Sequence, residues 1–499
     1  MATSSPPGSR DRLSQLPDFL LGHVISYLPN KEAGRAAALS RRWRDVFCNV
    51  HTVSFGEHEG ARASDWTTFY YDAEEKKSCS WALLNDVWSA LLCRRRCAGT
   101  HVPLRRLSFA FDSCHPWNYV HVDQWLTYVL RHNSLQEIHL DLRFWLGPIC
   151  PRSKGRYGDD GSDKEEEVDS DTDNSDAEHG RRKWRPCSYL LPKGLFSCIG
   201  IRTLCLSNCR MKLPKTVDLP YLETLSITQP RRDGGRSVQR LISSCPCLID
   251  LTLEAIARLK SVTVLDKRLR RFALRCCHNV RSVDIDASEL KSLDYSGLAP
   301  LESLLSLHGS PGIPSCTINL CKAPSNEDDH DRFIRFMEKI SDAKRLHLHH
   351  RCLPTMSFGG FPSFSNLTRL ALQGPLQSPS VVRVILEQTP NLEILSLFME
   401  PAVVPSDNAE PSVVPGGNAA PDESSFSIPC LRSHVKEINM VHYEGDALQR
   451  TMARLLFRNA LLLERMCVVL VRGTFALQDA LTREIKSWVV AAHAEQIFL

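Results

Sequence analysis

Two short clusters of cysteine and histidine come nearest, in residue type and spacing, to supporting chemistry in this chain. Cys276 and Cys277 are followed directly by His278, and the run HLHHRC spans His347 to Cys352. The first cluster offers a thiol nucleophile, but such a group needs a base brought to it in space, and adjacency along the chain does not supply one. The second invites a metal assignment, since His347 and His349 share one face of a strand, yet no second ligand group of matching spacing follows it. No P-loop, nucleophile elbow, GxGxxG turn, HExxH helix or C-x-x-C pair occurs. The expectation is a chain with no catalytic residue, no metal and no cofactor. Ser162, Ser170 and Ser175 each have an acid at the next position and another three residues on, the pattern read by acid-directed kinases.

The elements around these clusters say more than the clusters do. Leu16 to Trp43 reads LPDFLLGHVISYLPNKEAGRAAALSRRW. Pro17 suits the first helical position, where its missing N–H costs nothing, and Asp18 favours the positive end of a helix. Leu16, Leu20, Val24 and Leu28 recur every four residues and form one stripe, which Leu21, Ile25 and Tyr27 widen. Pro29 and Asn30 end that helix, Lys31 to Leu39 propose a second, and Ser40 is placed to cap a third carrying Trp43, Val46 and Phe47. Three helices in so few residues bury little surface, so part of this stripe is expected to meet another protein.

The segment DRLSQLPDFLLGHVISYLPNKEAGRAAALSRRWRDVF resembles the F-box of plant F-box proteins, which docks on the Skp-type adaptor of an SCF ubiquitin ligase. The resemblance implies adaptor contacts for Leu16, Pro17, Leu20, Val24, Ile25, Leu28 and Pro29, and for Leu39, Ser40 and Trp43. Two positions depart from the family pattern. Phe19 stands where an acidic residue is usual, and Gly34 replaces a branched apolar residue at a cost of about 1 kcal/mol of helix propensity relative to Ala.

Behind this cassette one phrase recurs: an apolar residue, two variable ones, then apolar, polar, apolar. It appears as LRRLSF from Leu104, LQEIHL from Leu135, IRTLCL from Ile201, LETLSI from Leu222, LIDLTL from Leu248 and LRRFAL from Leu269. It continues as VRSVDI from Val280, LKSLDY from Leu290, AKRLHL from Ala343, LTRLAL from Leu367, LEILSL from Leu392 and VKEINM from Val435. The spacing from Leu204 to Leu225 and from Leu346 to Leu370 to Leu395 fits leucine-rich repeats of about 20 to 29 residues. Around Phe272, Val283 and Leu293 the phrases crowd too closely for full repeats, so extra strands or a broken curve belong there. Ser237 to Ser244, Arg332 to Ile340 and Pro379 to Gln388 read as helices of an outer wall.

The fold class is therefore α/β: a three-helix N-terminal domain, then an irregular leucine-rich-repeat solenoid with parallel strands lining a concave face and helices and loops outside. Period-two alternation turns the leucines inward. It turns outward Thr224, Ser226 and Thr228, then Asp250, Thr252 and Glu254, then Arg271 and Arg275. Later strands add Asp284, Asp286 and Asp294, then Arg345, His347 and His349, then Arg369 and Gln373. A lining of mixed sign suits a protein target better than lipid or a nucleic-acid backbone. Asp250, Glu254, Arg271, Arg345, His347 and Arg369 are its candidate contacts.

The boundaries read as residues 1–9 disordered, 10–50 the F-box, 51–430 the repeat array and 431–499 a terminal cap. The array is expected to carry a disordered acidic insertion at 152–186 and a Pro/Ala/Ser/Asn/Gly-rich loop at 401–427. From Leu431 the chain runs strand VKEINM, a loop with Gly445, an amphipathic helix through Leu448, Met452, Leu455 and Leu456, and strand LERMCVVL. This order resembles the FBD module that closes many plant F-box leucine-rich proteins. Residues 181–185, RRKWR, are a weak nuclear address. With 43% hydrophobic residues, a net charge of +4 and no apolar run long enough for a membrane, the chain reads as a cytoplasmic or nuclear protein that contacts neither nucleic acid nor membrane. Its 19 cysteines are expected as reduced thiols in apolar surroundings.

Together these readings describe a non-catalytic substrate receptor. The F-box would reach a cullin through a Skp-type adaptor, and the repeats would hold an unidentified target protein for ubiquitination. A leucine-rich scaffold acting outside a ligase is the alternative, and an enzyme with a cysteine nucleophile a distant third.

Overall fold

The computed structural model describes residues 15–28, 30–56, 73–96, 103–111, 118–131, 134–142, 150, 189–230, 234–309, 312–353, 360–376, 379–399, 428–471, 475–491 and 493–499. Residues 1–9, the insertion at 152–186, its three serines, Pro29 and the loop at 401–427 lie outside them. The chain divides into two compact units, Met1–Leu259 and Lys260–Leu499.

The first unit opens with helices α1 (Asp18–Ile25), α2 (Asn30–Ala37) and α3 (Arg41–Cys48). Pro17 proves to be the N-cap of α1, one position earlier than the sequence suggests. Ser40 caps α3 as read, accepting a hydrogen bond from the Trp43 amide at 3.2 Å. Strand β1 (Thr52–Gly56), helix α4 (Ala73–Arg96), β2 (Arg106–Phe111), helix α5 (Asn118–Leu130) and β3 (Glu137–Leu142) follow. The unit closes with β4 (Thr203–Ser207), β5 (Thr224–Thr228), helix α6 (Gly234–Ser243) and β6 (Asp250–Glu254). The six strands pair in chain order, all parallel and without slips.

Why they stack follows from the repeated phrase. Its two central apolar residues, such as Leu225 and Ile227 of β5, are buried, and the residues between them are not. Burying each such side chain stabilises by about 1.5–3 kcal/mol relative to leaving it in water. The variable residues before each strand present a carbonyl that accepts two amides from the next strand. The carbonyls of His51, Arg105, Gln136, Arg202 and Glu223 each do so. Directly after β4, β5 and β6, Asn208, Gln229 and Ala255 adopt left-handed φ of 59°, 47° and 51°, so the chain turns each corner the same way.

The second unit contains β7 (Ser261–Val264), β8 (Arg271–Arg275), β9 (Ser282–Asp286), β10 (Ser292–Gly297), β11 (Leu305–His308) and β12 (Ser315–Leu320). Helix α7 (Glu327–Glu338), β13 (Arg345–His349), β14 (Arg369–Gly374), helix α8 (Pro379–Glu387), β15 (Ile394–Met399) and helix α9 (Pro429–Ser433) come next. Strand β16 (Glu437–Tyr443), helix α10 (Ala447–Asn459), β17 (Arg465–Leu470), helix α11 (Phe475–Lys486) and β18 (Glu495–Phe498) complete it. The crowded phrases here resolve into extra strands. Strands β8, β10, β12 and β13 through β18 pair in parallel within one sheet, whereas β7, β9 and β11 form a second, three-stranded parallel sheet. Each turn of chain between Ser261 and Leu320 thus carries a strand in both walls, and helices take over the second wall only from α7 onward. Asp284 and Asp286 are corrected accordingly. They lie on β9 in the small sheet and not in the row that holds Asp294.

The terminal module continues the larger sheet, because β16, β17 and β18 pair in parallel with one shift between Val441 and Tyr443. In α10 the buried residues are Met452, Ala453, Leu456 and Phe457; Leu448 is exposed and Leu455 only half-buried. Asp446 caps this helix, accepting from the Gln449 amide at 2.7 Å, while the Gln449 side chain accepts from the amides of Glu444 and Gly445. Gly445 has φ 76°, and a Cβ there would strike the Leu481 side chain. Gly445→Ala should therefore cost about 1–2 kcal/mol for the left-handed backbone, plus the Leu481 clash. A chemical-denaturation midpoint equal to that of the unaltered chain would contradict this account of the turn.

Candidate partner-binding surfaces

The stripe on α1 splits into two faces. Leu21 and Ile25 are buried with Val46 and Val50 in a small core against which Leu16, Trp43 and Phe47 pack. Phe19, Leu20, Val24, Tyr27 and Leu28 remain exposed, and Leu39 beyond α2 is 76% exposed. Soluble domains scatter single apolar residues on their surfaces, whereas here five lie within the ten residues from Phe19 to Leu28.

Polar contacts set the angle of the three helices. Arg42 of α3 donates to Asp18 at 2.9 Å and to the Leu16 carbonyl at 2.7 Å, closing the start of α1 onto α3. Gly22 lies so close to Asn49 that a Cβ would sit 2.8 Å from its backbone oxygen, which explains a glycine inside this helix. Ser26 links the cassette to the first strand: its hydroxyl donates to the Gly22 carbonyl, accepts from the His51 amide at 2.9 Å, and its carbonyl accepts from Thr52. Helices α2 and α4 pack on β1.

On the strand faces alternation holds as the phrase predicts except in β8, where Phe272, Ala273 and Leu274 are all buried. In the first unit Asp250 and Glu254 sit at the ends of β6, where they accept hydrogen bonds from Thr224 and Thr228 of β5 at 3.4 and 3.2 Å. In the second unit Arg271 is the exposed first residue of β8. Arg345 and Arg369 are directly opposite each other on β13 and β14, both exposed. Among the described residues neither takes part in an ion pair. Further along the same row Arg465 does, with Glu495 at 3.0 Å. His347 and His349 stack at 5.1 Å between ring centroids, and Phe398 lies 6.0 Å from His347. Burial holds the His347 imidazole below the ordinary histidine range, opposed by a hydrogen bond with Gln373 and the charge of Asp294.

Residues 13–54 match the F-box domain family, and residues 177–327 match the leucine-rich repeats of the FBD-associated F-box protein At5g56370. The chain carries an F-box and leucine-rich repeats. Among similar proteins of Arabidopsis thaliana, F-box/LRR-repeat protein At4g14103 is 26% identical over 78% of this chain and 91% of its own length. F-box/FBD/LRR-repeat protein At1g13780 is 23% identical over 80% of each chain, and putative FBD-associated F-box protein At5g22720 is 22% identical over 94% of this chain and 90% of its own.

The F-box residues read from the sequence have different places in the structure. Leu20, Val24, Leu28 and Leu39 are exposed, as is Pro17, while Leu16 and Trp43 are half-buried against the core. Ile25 is 4% exposed and packs in the interior of the cassette. Ser40 already spends its hydroxyl on the α3 cap. Phe19 and Tyr27, at 59% and 78% exposure, join the open face; the sequence left Tyr27 within the stripe and treated Phe19 only as a departure from pattern.

The histidine run separates in space. Cys352 is buried with its thiol on the Ile318 carbonyl, and burial pushes that thiol up to about 12. The other cluster gains what adjacency could not give. Cys321, from the far end of β12, brings its sulfur 3.6 Å from that of Cys276.

The depressed His347 makes a pH prediction. The unfolded chain takes up this proton near the ordinary value of 6.5, and the folded chain only at lower pH. Stability contributed by keeping His347 neutral is present above pH 6.5 and is lost as pH falls through its folded pKa. His347→Gln should flatten part of the acid limb of a melting-temperature profile between pH 7 and about 5. Superimposable profiles would show that His347 is not held neutral by folding.

Proposed function

We propose that this F-box protein is the substrate-recognition subunit of an SCF-type ubiquitin ligase. Its F-box binds a Skp-type adaptor and through it a cullin, and its leucine-rich repeats bind a target protein. The observation that carries the reading is the division of α1. Leu21 and Ile25 suffice for the cassette's own core, so exposed Leu20, Val24 and Leu28 do nothing for the isolated fold and are explained by a partner.

No side chain of the receptor takes part in bond making. By holding a target lysine close to the ubiquitin-charged enzyme, the receptor converts a bimolecular encounter into one governed by effective concentration, in the millimolar range for short flexible tethers. The paired arginines suggest the sign of what is held. Like charges directly opposite on neighbouring strands repel. An acidic segment lying across Arg345 and Arg369 would relieve that repulsion. The same reading puts the protein in the cytoplasm or nucleus, where 19 cysteines stay reduced.

The adaptor half is tested with Leu20→Asp combined with Val24→Asp. Because both positions are exposed, the melting transition should stay in place while capture of a purified plant Skp-type adaptor falls at least about 100-fold, or 2.7 kcal/mol. Undiminished capture would remove the ligase reading and favour a scaffold acting outside a ligase.

The target half is tested with Arg345→Glu and Arg369→Glu together. Adaptor capture should be unchanged and target ubiquitination in a reconstituted ligase should fall. A loss equivalent to about 2–5 kcal/mol would place the arginines in a desolvated contact, and a purely salt-dependent slowing would place them on its rim. Indifference to this double reversal, and to reversal at Asp250 and Glu254, would move recognition away from the strand faces.

A further inference from the structure

The ends of β8 and β12 converge on a set of soft metal ligands that no part of the receptor reading uses. The thiols of Cys276 and Cys321 and a ring nitrogen of His278 all lie within 4.8 Å of one another. Cys276 and His278 are half-buried and Cys321 is buried. We propose that these three residues bind a zinc ion that clamps β8, β10 and β12 together at their carboxyl ends.

Three observations support a metal over a chance meeting of thiols. The first is distance. Two thiolates on one tetrahedral zinc, each about 2.3 Å from the ion, stand about 3.8 Å apart, whereas a disulfide holds its sulfurs at about 2.05 Å. The Cys276 and Cys321 sulfurs stand 3.6 Å apart.

The second is rigidity. The Cys276 amide donates to the Ser296 carbonyl at 2.5 Å and the Cys321 amide to the Gly297 carbonyl at 2.7 Å, so both donors are pinned to consecutive residues at the end of β10. Arg351 also donates to the Cys321 carbonyl. Cys276 takes the left-handed corner with φ 52° that follows β4, β5 and β6 as well, so its backbone is set by the repeat and not by the ligands. His278 then follows in the turn closed by the Val280 amide on the Cys277 carbonyl. The sites built on strand ends are already in place before any ion arrives.

The third is ligand type. Two thiolates and an imidazole match zinc and exclude the hard cations, magnesium and calcium, which take oxygen donors. The remaining coordination position belongs to a donor outside these three. The clamp would also sit where it is most useful, in the stretch where a small second sheet replaces helices as the outer wall.

The test uses the full chain, purified reduced, stripped with a chelator and titrated anaerobically with Co2+ as the spectroscopic probe. Expected is tight uptake near one equivalent, a near-ultraviolet thiolate-to-cobalt absorption, displacement by Zn2+, and a melting temperature that rises with Zn2+. Cys276→Ala should halve the absorption and weaken uptake by more than the roughly 10- to 100-fold that loss of an outer-shell partner costs. His278→Gln, a half-buried position where misfolding is less of a concern, should weaken uptake comparably and keep the absorption. Cys245→Ser and Cys467→Ser should change neither. The proposal is overturned if the folded wild type shows no thiolate absorption, or if the Cys276→Ala and His278→Gln chains bind as the wild type does.

Discussion

Most strands in each unit depend on hydrogen bonds lent by the strand before them. A parallel strand cannot satisfy its own amides and carbonyls, and a buried group left without a partner costs about 1–3 kcal/mol. The chain answers with a repeated device: a carbonyl just ahead of most strands receives two amides from the next, as at Arg105 and Glu223 in the first unit and at Thr368 and Lys436 in the second. The alternating leucines then have only one way to face. In the first unit the F-box helices pack on β1 through Ser26 and α2, and α4 packs on the same strand. The domain read as a docking module therefore also covers the first strand.

The strands were legible because the phrase that specifies them is local. Each of its occurrences, from LRRLSF to VKEINM, became a strand, and the residues between its leucines point away from the core in every case where burial alternates. What stayed illegible needed information from elsewhere in the chain. The crowding of Val283 between Phe272 and Leu293 allowed extra strands or a bend, and only pairing partners show that β9 joins β7 and β11. Strands β1, β7, β11, β12 and β18 lie outside the repeated phrase and escaped notice. Helices α4, α5, α9 and α11 escaped as well, since the search followed strands.

The two kinds of site differ in the same way. The apolar stripe of α1 was plain in the sequence, but hydrophobicity alone does not say which residues the fold buries, and of the neighbours Val24 and Ile25 the first is exposed and the second buried. The opposition of Arg345 and Arg369 follows from a repeat spacing and was readable in advance. The meeting of Cys276 with Cys321 was not. Forty-five residues separate them, and no C-x-x-C spacing announces a pair assembled across an intervening strand.

The pairing register has a consequence for how such a protein can change over time. Glu137 pairs with Thr203 and Ile394 with Glu437, in step with the rest of their sheets, although far more chain lies between these partners than a repeat needs. Since closing a longer loop costs free energy only logarithmically, the stack is nearly blind to what is inserted between two strands. Segments can therefore lengthen, shrink or be exchanged between generations without shifting a single side chain on the strand faces. A lineage built on this architecture can try out new appendages while its existing specificity is left standing, and the evolutionary cost of each trial is close to that of a surface mutation.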